Sequence, residues 1–105
     1  MNKKDILWQK LLDAEKSRLT SLAPEELMAM GNFTSCRILH GEMAIDYGFW
    51  HETPDYRPGT NIHSFVLQAK RKLFLGTHKN YLAGFSIDTN GKIIPIADEV
   101  LSSYD

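Results

Sequence analysis

Met43-Ala44-Ile45-Asp46-Tyr47-Gly48-Phe49-Trp50-His51-Glu52 decides the fold, because it alternates. Its odd positions are Met43, Ile45, Tyr47, Phe49 and His51, and its even positions include Glu42 just before it, Asp46 and Glu52. A period of two with one apolar side predicts a half-buried β-strand. Upstream, Phe33 to Leu39 is a weaker strand, and His40-Gly41 offers a turn that makes a hairpin of the pair.

Downstream, His63 to Leu75 alternates again. Phe65, Leu67, Ala69, Leu73 and Leu75 share one side, and Ser64, Gln68, Lys70 and Lys72 the other. Thirteen residues is long for one strand, which predicts a bend or bulge near Ala69. Gly76 to Asn80 reads as a turn and Tyr81 to Ile87 as the next strand. Asp88-Thr89-Asn90-Gly91 is a strong hairpin signal, since Asn-Gly accepts positive φ. Lys92 to Ile96 completes the sheet as an edge strand, because Pro95 lacks the N–H that a ladder needs. Between the two long strands, residues 53–62 carry two prolines and a glycine and read as the one long loop.

The period upstream of Gly31 is helical. Leu7, Leu11 and Ala14 fall at i, i+4 and i+7, with Trp8 and Leu12 widening the stripe, so residues 3 to about 20 form an amphipathic helix capped by Asn2. A second, shorter helix starts at Pro24, where a missing N–H costs nothing, with Glu25 and Glu26 in its first turn. Asp98 to Tyr104 suggests one or two closing helical turns. The expected architecture is α+β: a single domain, 1–105, in which an N-terminal helix and a short second one pack on a four- to five-stranded antiparallel sheet, followed by a short C-terminal helix. Leu7, Trp8, Leu11, Ile45, Phe49, Phe65, Leu67, Leu73 and Phe85 are the expected core.

Composition narrows the function classes. The chain has 105 residues, 43% apolar and 24% charged, with eleven aromatics, which places it among globular rather than disordered chains. Cys36 is the lone cysteine, so an intrachain disulfide and the cysteine-rich zinc motifs are excluded. Asp5, Gln9 and Lys10 interrupt the early apolar run, and no stretch reaches the ~20 apolar residues of a membrane helix. These features point to the cytoplasm and away from membranes.

His40, His51, His63 and His78 are spaced by 11, 12 and 15 residues, which matches no metal-binding motif, so no metal is expected. Neither a P-loop nor a Gly-x-Gly-x-x-Gly run occurs, and no cofactor is expected. From Tyr56 to Ile87 there is no Asp or Glu, while Arg57, Lys70, Lys72 and Lys79 lie there. These four are the expected contacts of a non-catalytic binding or regulatory module with an acidic protein partner; neutralising a toxin is one such role. Arg71, between two outward lysines, turns inward unless a bulge intervenes, and needs a carboxylate or several carbonyls; Glu25, Glu26, Asp98 or Glu99 are the candidate carboxylates. The first alternative is a small enzyme with an acid–base site of His51, Glu52 and His63 beside the long loop. The second is nucleic-acid binding through residues 56–87, against which the net charge of −1 weighs. A homodimer is compatible with all three.

Overall fold

Asp5 sits in the first turn and Arg18 in the last turn of helix α1 (Lys3–Thr20), each where the helix dipole favours its charge. Pro24 opens α2 (Pro24–Ala29), and Glu25 and Glu26 follow in its first turn. Five strands complete the chain: β1 (Phe33–His40), β2 (Met43–Glu52), β3 (His63–Lys72), β4 (His78–Ile87) and β5 (Ile93–Pro95). In this computed structural model they form one antiparallel sheet in sequence order, β1-β2-β3-β4-β5. The structure describes residues 3–52, 63–88, 90–96 and 101, with the side chain of Glu52 excepted. Asn2, the 53–62 loop and most of the expected closing helix lie outside the described residues; of that helix only Leu101 is described.

The predicted alternation of β2 is realised. Ile45, Tyr47, Phe49 and His51 are buried toward α1, and Phe65, Leu67 and Ala69 of β3 join them with Tyr81, Ala83, Phe85 and Ile87 of β4. Phe49, Phe65 and Phe85 stack in a row across three strands, with centroids 5.5 and 5.1 Å apart. The hairpin at Asp88 forms as its sequence requires. Gly91 takes a φ of +79°, and the Asp88 carboxylate accepts the N–H groups of Asn90 and Lys92 at 2.9 Å each.

Three expectations are corrected. The buried stripe of α1 is not Leu7, Leu11 and Ala14. It runs through Asp5, Leu12 and Leu19, with Trp8 and Leu11 packed alongside, Leu7 only half-buried and Ala14 exposed. The helix is rotated because Asp5 itself is drawn inward by basic partners on the sheet. Secondly, β3 has no bulge at Ala69, which lies opposite both Tyr47 and Tyr81 in unbroken register. The strand stops at Lys72 instead, and a short 3-10 turn over Phe74–Gly76 follows. Leu75 and Gly76 take φ values of +63° and +79°, which a strand cannot accommodate. Leu73 is therefore half-buried and outside the core cluster, while Phe74 and Leu75 are exposed. Thirdly, the β1–β2 turn is Gly41-Glu42, one residue later than His40-Gly41, since His40 pairs with Met43.

The sheet face away from α1 is covered in part. Ser64, Val66 and Ser86 are buried there, and the two serine hydroxyls bond at 3.0 Å. Ile96 and Leu101 lie over this end of β3 and β4: a Cβ built on Gly84 would meet Leu101 Cδ2 at 2.9 Å and Ile96 Cδ1 at 3.1 Å. Among the described residues nothing covers the part formed by β1, β2 and the far end of β3.

Candidate functional site

On the open part of the sheet, Phe33 and Trp50 face each other across the β1–β2 ladder, with ring centroids 5.2 Å apart. Gly48 lies beneath them. A Cβ there would meet Trp50 Cη2 at 2.9 Å and Phe33 Cε2 at 3.0 Å, so the glycine lets both rings lie down against the strand. Together with Gln68 and Lys70 they line a solvent-open hollow of about 380 Å³. One wall is therefore aromatic and another carries an ammonium group. The local charges are not balanced. Asp46 is held by Arg37, at 2.7 Å from Nε and 3.4 Å from Nη2, and that contact keeps its carboxyl below the ordinary range. Lys70 and Lys72 are exposed; on the β4 side they lie opposite Asn80 and His78, and on the β2 side Lys70 shares the hollow with the Arg37-bound Asp46.

The four basic residues singled out from the sequence do not act as one group. Lys70 and Lys72 share the open face. Lys79 alternates to the opposite face, where its ammonium reaches Asp5 Oδ2 at 2.6 Å. Arg57 lies outside the described residues. Arg71 does turn inward, and its carboxylate is Asp5, at 2.8 Å from Nη2. Glu25 and Glu26, both exposed, are not its partners, and Asp98 and Glu99 lie outside the described residues. Tyr81 completes the cluster. Its hydroxyl donates to Asp5 Oδ1 at 2.5 Å and accepts from Arg71 Nε at 3.0 Å. The Lys79 ammonium, then the Tyr81 hydroxyl and Arg71, hold the Asp5 carboxyl far below its ordinary value. A signal for Asp5 was present: residues 5, 12 and 19 are two helical turns apart and share a face.

His51 and His63 meet on the α1 side of the sheet. His51 Nε2 and His63 Nδ1 are 2.8 Å apart, so one ring nitrogen donates and the other accepts. His51 also stacks on Phe65 at 4.6 Å. Burial, and then the neighbouring His63, push the His51 imidazole below its ordinary value. Of Glu52 the structure describes only a strand position opposite Ser64. Among the described residues, no three His, Cys, Asp or Glu side chains gather where they could hold a metal, and no helix is long and apolar enough to cross a membrane.

Comparison with protein-family models, with curated proteins and with solved structures gives no match. Any functional reading therefore rests on this chain's own geometry.

Proposed function

We propose that the protein is a non-catalytic cytoplasmic binding module that takes an acidic protein partner on the open sheet face. The observation that carries this reading is the pair Lys70 and Lys72, exposed beside the aromatic hollow of Phe33 and Trp50, where the carboxylate that shares the hollow, Asp46, is held by Arg37. Interfaces that bind firmly combine a desolvated aromatic anchor with charges that steer and orient. An apolar side chain of the partner fits the hollow, and its carboxylates fit the lysines. Neutralising a toxin is one role that such binding could serve. The net charge of −1 weighs against nucleic acid as the ligand.

The test compares immobilised wild-type protein with a Lys70→Glu/Lys72→Glu variant in host-cell extract. The wild type should retain a stoichiometric acidic protein at low salt and release it toward ~1 M, where the screening length falls to ~3 Å. The variant should keep its thermal midpoint and lose the partner. Equal retention by both proteins overturns the reading.

The contact between His51 and His63 supports a second reading, an acid–base site, because two bonded imidazoles can pass a proton. Turnover of chromogenic ester or phosphoester substrates that disappears in His63→Gln would put this reading first.

A further inference from the structure

β1 ends the sheet on one side, and among the described residues nothing pairs with its outer edge. Edge strands are normally blunted by prolines, lysines, bulges or short length. The opposite edge, β5, is three residues long and contains Pro95. β1 has none of these devices. It runs eight residues in unbroken register with β2, and its one formal charge, Arg37, is tied to Asp46.

The ladder says which of its amides are free. The His51 N–H donates to the Asn32 carbonyl at 2.9 Å, which marks residues 32 and 51 as a hydrogen-bonded pair. Antiparallel ladders alternate, so Thr34, Cys36, Ile38 and His40 bond inward to β2. The N–H and C=O groups of Phe33, Ser35, Arg37 and Leu39 then point outward. Their side chains lie on the open face, where Phe33 is 54% and Leu39 75% exposed.

We propose that a second copy of this chain pairs antiparallel with β1 across a twofold axis at Cys36. In this register Phe33 stands opposite the partner's Leu39, and Ser35 opposite the partner's Arg37. Only registers that set outward amides against outward amides can bond, and few remain. A shift that centres the axis on Arg37 sets two guanidinium groups face to face, and like charges directly opposite are destabilising. A shift that centres it on Ser35 leaves Leu39 uncovered. The Cys36 register bonds every free amide of the strand and covers its two most exposed apolar side chains with each other. The contact is isologous, as a twofold interface must be. It makes one continuous sheet with both α1 helices on one side and both pairs of Lys70 and Lys72 on the other.

Cys36 reports on this register. The two copies of residue 36 form a non-hydrogen-bonded pair, whose Cα atoms lie ~4.5 Å apart. That spacing falls within the range a disulfide spans. Sedimentation equilibrium of the full chain should give twice the 12.0 kDa protomer mass. Copper–phenanthroline in air should then couple the two Cys36 thiols into one disulfide, their two electrons and two protons passing to dioxygen. Ser35→Lys places like charges opposite each other twice and should raise the dimer dissociation constant roughly tenfold. Ser35→Glu, which faces a guanidinium instead, should leave the dimer as tight or tighter. Ser35 is exposed, and circular dichroism checks that both variants fold. A monomer at millimolar concentration overturns the proposal. So does a dimer that Cys36 does not cross-link, or one in which Ser35→Lys and Ser35→Glu behave alike.

Discussion

His51 combines burial with a hydrogen bond that needs at least one neutral imidazole in the pair. If both rings are protonated, neither nitrogen accepts and the 2.8 Å contact to His63 is lost. The folded-state pKa of His51 lies below its ordinary value of 6.5, chiefly through burial. Below pH 6.5 the unfolded chain therefore binds more protons at this position than the folded chain does, and stability falls as the pH drops. The urea midpoint should decrease between pH 7.5 and 5.5, and His51→Gln should remove most of that slope; an unchanged slope would assign it to other groups. The sequence showed that the two histidines flank one loop and so come near each other. It did not show that His51 stacks on Phe65, because depth depends on what lies over the strand. Asp5 was missed for a related reason. A carboxylate in a first helical turn reads as a dipole partner, and although it shares a face with Leu12 and Leu19, its partners on β3 and β4 appear only in the fold.

The strands were the most legible elements, since alternation in β2 and the Asp88–Gly91 turn each state a local rule that the fold obeys. The end of β3 was not legible. Leu73 and Leu75 continue the apolar period, yet Leu75 takes positive φ in the turn and projects into solvent. Periodicity reports which side chains could be buried, whereas the length of the facing strand decides which are. The partial cover over β4 was equally hidden, because it depends on a segment far along the chain. Gly84 measures that cover. A Cβ would meet the Phe65 carbonyl oxygen at 2.9 Å as well as Leu101, and a backbone atom cannot swing aside. Gly84→Ala should cost about 1–3 kcal/mol through overpacking, read from chemical denaturation. A cost below ~0.5 kcal/mol would mean that both the Leu101 contact and the backbone at Phe65 relax readily.

At the scale of the whole molecule, strand order follows sequence order, so each hairpin closes between near neighbours in the chain. This made the meander legible, because sequential strands with short turns pair antiparallel. The placement of α1 follows no such rule. Asp5 is 66 residues from Arg71 and 76 from Tyr81, so these two contacts close only once β3 and β4 are in place. That separation has a kinetic meaning. Contacts that close long stretches of chain bear the loop-closure entropy and tend to form after local ones. The docking of the helix end through Asp5 then belongs to the downhill side of the folding barrier, where an interaction slows escape without speeding arrival. In stopped-flow experiments, Asp5→Asn should raise the unfolding rate while leaving the refolding rate within about twofold of wild type. A refolding rate that falls in step with stability would instead place the helix in the nucleus. On the expected course, the carboxylate cluster acts as a latch: it has little influence on how quickly the chain finds its fold and sets how long the fold persists.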